Sequence, residues 1–150
     1  MLLPHELSVG NSLIDSEHKK LHDIINNIAG IIKAGEVAAL SDAFKLLENS
    51  LRDYFVVEEN IAQALNFDFT QHRLAHQHLL KEFQRIRDVL MAKNGMWPKS
   101  EKKGYIDCLM ACLTQHIEED GRPLKAVLST QFYDFKPAYA GGNIGLHGCF

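Results

Sequence analysis

The feature that most constrains this chain is a set of four long amphipathic blocks whose apolar seams are each broken by ionisable or polar residues. Read at alternating three- and four-residue steps, the spacing of a bundle-helix core, the first block gives Ile14, His18, Leu21, Ile25, Ile28 and Ile32. The second gives Phe44, Leu47, Leu51, Tyr54, Glu58, Ile61 and Leu65; the third gives Phe69, His72, His76, Leu79, Phe83, Ile86 and Leu90. The fourth gives Ile106, Leu109, Leu113, His116 and Asp120, with Val127 further on. Turn signals separate the blocks: Gly35 after the first, Asn66 after the second, Asn94-Gly95 and Pro98 after the third. Asp15 or Ser16 is placed to cap the first helix. Sustained period-two alternation is absent, so the expected fold is all-α, an up-down-up-down four-helix bundle spanning about residues 12–130. Residues 131–150, rich in aromatics and glycine, do not continue the pattern and read as a non-helical tail. One domain of 150 residues is expected.

The interruptions define the chemistry. His18 is near the start of its helix, Tyr54 and Glu58 near the end of theirs, His72 and His76 near a start, and His116 and Asp120 near an end. Antiparallel neighbours bring all seven to one end of the bundle. Burying them unpaired costs several kcal/mol per ion, against a net domain stability of about 5–15 kcal/mol. A metal is the usual compensation, and imidazoles with carboxylates and no thiolate suit iron, manganese or zinc. Four histidines and two carboxylates exceed what one tetrahedral ion uses, so two ions sharing bridging carboxylates are expected. A single histidine on an apolar face is more often a satisfied core residue; agreement among four helices is what points to a metal. The remaining histidines read otherwise: His22 as a rim residue, His78 as solvated, His5 and His147 as tail residues. Cys108, Cys112 and His116 follow at i, i+4 and i+8, the spacing of a redox face, but the two cysteines read rather as small buried residues behind the site.

Net charge is −3 and the isoelectric point about 6.2, which leaves no electrostatic footprint for nucleic acid or an acidic membrane. No apolar run is long enough to span a bilayer. The opening residues lack the basic and apolar regions of a signal peptide. Together with three cysteines, an odd number, this points to a reducing cytoplasm.

Four stretches resemble bacterial hemerythrins. Leu7 to Asn26 (LSVGNSLIDSEHKKLHDIIN) is similar to that family's opening, YFVVEE (Tyr54 to Glu59) to its HFxxEE, HRLAH (His72 to His76) to its HxxxH, and QHIEED (Gln115 to Asp120) to its HIxxxD. The resemblance covers about residues 7 to 128. It implies a bundle holding two non-haem iron ions, oxo- or hydroxo-bridged, that bind O2 or a related small diatomic for carriage, storage or sensing. His18, Glu58, His72, His76 and His116 then fall on ligand positions, with Glu58 bridging. Two positions depart from the family. Its second-helix histidine is Tyr54 here, either a phenolate ligand or a hydrogen-bonding neighbour that leaves one iron a ligand short. Its last aspartate, five residues after the histidine, is Gly121 here. Asp120, one residue early, is the candidate replacement, with Pro123 loosening the turn so that it swings inward; Glu119 or water is the other possibility. A phenolate favours iron(III), so a di-iron oxidase, peroxidase or nitric-oxide-handling enzyme stands as the alternative function. Zinc or a purely structural metal is a third reading. The chain lacks the paired Glu-x-x-His motifs of carboxylate-rich oxidase bundles, which favours binding over catalysis.

Overall fold

A computed structural model describes residues 7–130. The expectations for the tail and for His5 and His147 lie outside the described residues, as does Cys149. Among the described residues there is no strand. Four long helices follow in order: α1 (Ser12–Ala34), α2 (Val37–Ala64), α3 (Thr70–Ala92) and α4 (Lys99–Gln115). A π turn (His116–Asp120) then leads into a short α5 (Arg122–Leu128). No helix of the described residues is long and apolar enough to cross a membrane.

The helix boundaries have local causes. Asn11 caps α1, its side-chain oxygen accepting from the N–H groups of Leu13 and Ile14 at 3.1 and 3.2 Å. The cap is therefore one turn earlier than the expected Asp15 or Ser16. Asp15 is used differently: its carboxylate accepts from the Val9 N–H (2.9 Å) and the Ser8 hydroxyl (2.5 Å), tying the leading segment to the helix. Gly35 ends α1 at φ 72°, as its position in the sequence indicates. Asn94 and Gly95 both take positive φ after α3, and Trp97 folds back to donate its indole N–H to the Leu90 carbonyl at 3.1 Å. This contact seals the end of the bundle away from the histidines.

The apolar seams meet as expected. Ile14, Leu21, Ile25, Ile28 and Ile32 pack with Phe44, Leu47, Leu51, Leu79, Phe83, Leu90, Leu109 and Leu113, all buried. The fourth block departs. Its inward positions beyond His116 are Ile117, Leu124 and Leu128; Asp120 is exposed and Val127 only half-buried. The cause is the π turn, in which the Gly121 N–H reaches the His116 carbonyl five residues back at 3.0 Å. One extra residue in the turn rotates everything after it. Pro123 explains the break, because it has no N–H to donate to the preceding turn and its ring crowds that turn's carbonyl.

Candidate metal centre

His18 lies in the second turn of α1, Tyr54 and Glu58 in the last third of α2, His72 and His76 at the start of α3, and His116 at the start of the π turn. The antiparallel packing brings these six side chains to one end of the bundle. All are buried, none above 5% exposure. Glu58 is the hub. Its Oε1 accepts from His72 Nε2 at 3.0 Å and from His76 Nε2 at 2.8 Å. One donor atom each of Glu58, His72, His76 and His116 lies within 4.8 Å of the other three. Tyr54 stands beside this group, its hydroxyl 2.9 Å from His116 Nε2 and 3.1 Å from His18 Nε2.

Asp120 is not in the inner group. Its Oδ2 is 3.1 Å from His116 Nδ1, the outer ring nitrogen, and its side chain is 43% exposed. The expected inward swing does not occur, since the π turn brings Gly121 round to the buried side and carries Asp120 outward. A side chain at 121 has no room in this turn: a Cβ there would come within 2.7 Å of the Ile117 carbonyl oxygen. Glu119, the other candidate, is also exposed.

The electrostatics favour ligation. Burial lowers the pKa of His18 and His76 and pushes that of His116 down to about 4, so these imidazoles are neutral near pH 7, with lone pairs available. Burial opposes ionisation of Glu58, yet the hydrogen bonds from His72 and His76 outweigh it and hold the carboxyl well below its usual range. Burial first, and the neighbouring Glu58 charge second, keep Tyr54 a protonated phenol. One ionised carboxylate among neutral imidazoles in a water-poor space is a donor set for a divalent cation of the imidazole-binding type. His18 and His72 face the cluster through Nε2, and their Nδ1 atoms, on the other side of each ring, are buried without hydrogen-bond partners.

Two residues that the sequence analysis did not assign to the site hold the imidazoles in place. The Phe55 ring stacks on His76 at 4.0 Å between centroids and 15° between planes, and Phe69 stacks on His72 at 4.7 Å and 16°. Phe69 precedes His72 by three residues on one helical face, a signal that is present in the sequence. The Phe55 contact crosses between helices and has none. His78 is exposed, as expected. His22 is buried, with its Nδ1 3.3 Å from Asn26 Nδ2. Cys108 is exposed and Cys112 half-buried, so the expectation of buried cysteines behind the site fails: both lie off the inward face occupied by Leu109 and Leu113.

The buried centre lies beneath two surface hollows. A surface groove of about 640 Å³ beside the start of α3 has His72 in its wall, with His78, Asp120 and Pro123 also lining it. A smaller hollow of about 240 Å³ with His78 and Asp120 in common reaches His116.

The chain is distantly similar to bacteriohemerythrins. It is 19% identical over 129 aligned residues to the bacteriohemerythrins of Pseudomonas aeruginosa strains LESB58 and UCBPP-PA14, covering 76% of this chain and 84% of theirs. The bacteriohemerythrin of Pseudomonas paraeruginosa matches to the same extent. No family profile matches the chain, and no solved structure does. The chain thus joins a distant similarity to bacteriohemerythrins with a helical bundle whose buried His/Glu cluster can hold a metal.

Proposed function

We propose that this chain is a hemerythrin-type non-haem iron protein that binds O2 or a related small diatomic for carriage, storage or sensing. The observation that carries the reading is the buried convergence of Glu58, His72, His76 and His116 from three segments of the bundle, at motifs that resemble the hemerythrin ligand motifs. Iron bound there would supply an open coordination position and a change of oxidation state. The protein's own residues do the rest. Glu58 supplies the negative charge that offsets the cation. Phe55 and Phe69 fix the planes of His76 and His72. Asp120 accepts from His116 Nδ1 and so orients the ring and keeps its Nε2 lone pair inward. The groove beside His72 admits a small ligand, while the apolar seam below excludes bulk water.

Metal analysis combined with optical spectra in air and under argon tests this. Iron-loaded, reduced protein is expected to develop an absorption band on exposure to O2 that reverses under argon. His72→Ala with His76→Ala is expected to abolish iron binding and to remove the stabilisation that iron confers on the folded state. Stoichiometric iron in that double variant would sink the assignment. One observation favours a second reading: a buried phenol, Tyr54, sits within hydrogen-bond distance of two imidazoles where an O2 carrier of this type would have a third. Rapid one-way oxidation instead of reversible binding would favour an oxidase, peroxidase or nitric-oxide-handling enzyme.

A further inference from the structure

We propose that Tyr54 fills the place of a second ion, so that this centre holds one metal, bound by Glu58, His72, His76 and His116, with the Tyr54 phenol beside it as a hydrogen-bond donor. The proposal rests on the metal-binding reading above and departs from the two-iron expectation.

The donors divide unevenly. One donor atom each of Glu58, His72, His76 and His116 lies within 4.8 Å of the others, and His18 is not in this group. Around His18 the other groups that a second ion would need are missing. Asp120 faces outward on His116 Nδ1. Gly121, on the buried side of the π turn, has no side chain, and the close Ile117 carbonyl leaves no room for one. What remains next to His18 is Tyr54. A tyrosine carries its oxygen further from the backbone than a histidine carries its Nε2, by a distance comparable to one metal–nitrogen bond of about 2.0–2.1 Å. Where an imidazole would stop short and hold an ion, the phenol therefore puts its oxygen where the ion would be. The distances agree: the oxygen is 3.1 Å from His18 Nε2 and 2.9 Å from His116 Nε2, spanning the two rings itself.

The hydrogen-bond directions give the phenol a role. The Asp120 carboxylate lies 3.1 Å from Nδ1 as its acceptor, so His116 carries its proton there and presents a bare Nε2 to the interior. With that tautomer, Tyr54 O–H, 2.9 Å away, is placed to donate to this nitrogen, with Glu58 as its other acceptor. His18 Nδ1 has no partner, and a bare nitrogen there is less costly than an orphaned N–H. His18 therefore carries its proton on Nε2 and donates to the Tyr54 oxygen. With His116 Nε2 engaged by an ion, Tyr54 O–H would lose that acceptor, and His18 Nε2, already protonated, could not replace it. The phenol would then donate to the Glu58 carboxylate, which it also reaches, or to a small polar ligand on the ion.

The test is iron loading of the full chain. Metal-free protein is titrated anaerobically with iron(II), freed of excess, and read by elemental analysis and, after oxidation, by electron paramagnetic resonance. One iron per chain with the signal of an isolated half-integer-spin ion is expected. Tyr54→Phe and His18→Gln are each expected to keep that one iron, because neither residue is a ligand. Tyr54→His shortens the side chain, restores an imidazole and is expected to raise uptake above one; circular dichroism confirms that each variant is folded. Two irons per wild-type chain with a silent, spin-coupled signal, or loss of iron in Tyr54→Phe, overturns the one-ion arrangement while leaving the metal-protein reading intact. Uptake that stays at one in folded Tyr54→His shows that Tyr54 is not what keeps a second ion out, and also overturns the proposal. Failure of the wild-type chain to bind iron overturns the underlying reading instead.

Discussion

The two ends of the bundle are built from the same four helices and spend their buried volume differently. At the end closed by Trp97, the seams are Ile28 and Ile32, Phe44, Phe83 and Leu90, hydrocarbon packed on hydrocarbon. At the other end, the equivalent layers are His18, Tyr54, Glu58, His72, His76 and His116. The first end stabilises the fold unconditionally, by apolar burial of roughly 25 cal/mol per Å². The second buries polar groups whose net contribution depends on protonation and on what they bind. The contrast teaches that the site is held in place by a remote apolar scaffold rather than by its own hydrogen bonds.

The sharpest way to break this division is to damage each end separately. Phe44→Ala, at the apolar end, is expected to cost about 3–5 kcal/mol by removing a large buried ring. The loss should be the same with and without bound iron, measured by chemical denaturation. A loss that appears only in the iron-loaded protein would mean that the two ends are not independent.

Acid should attack the other end. The His116 pKa falls from 6.5 to about 4 in the folded protein, and His18 and His76 are lowered as well. Below pH 6.5 the unfolded chain takes up protons that the folded site refuses, so stability falls as pH drops from 6.5 towards 4. Glu58, lowered too, adds to the loss below its unfolded value of 4.5, in the same direction. Metal-free protein followed by denaturation across this range should show the decline, and a flat profile would mean that the imidazoles are not held neutral. Bound iron should hold the profile up to lower pH, because the ion competes with protons for the same lone pairs.

The smallest expected effect sharpens the contrast within the site. Asp120 touches only the outer nitrogen of His116 and is largely solvated. Asp120→Asn is expected to weaken iron binding by about 10–100-fold, the usual effect of losing an orienting partner, while leaving metal-free stability within about 0.5 kcal/mol, as for surface changes. Complete loss of iron in that variant would identify Asp120 as a ligand after all.

Much of this architecture is legible in the amino-acid sequence, and the parts that are not have a common cause. The seams of α1, α2 and α3 can be read at three- and four-residue steps because an unbroken α-helix has a constant period, so a residue's number states its face. Helix order alone places His18, Tyr54, Glu58, His72 and His76 at one end, and His116 follows by the same rule, at the last residue for which α4 keeps its period. Beyond it, counting fails. The π turn adds a residue, Gly121 takes the buried side where Asp120 is expected, and Asp120 moves to the outer nitrogen of His116. Gly121 and Pro123 mark a weak point, but whether the helix there tightens, kinks or widens depends on what Ile117 and Leu124 find to pack against. The stacking of Phe55 on His76, and the position of the Tyr54 oxygen between His18 and His116, are likewise distances between helices. Periodicity determines which face a side chain shares with its own helix; how far it reaches towards another is decided only when the helices pack.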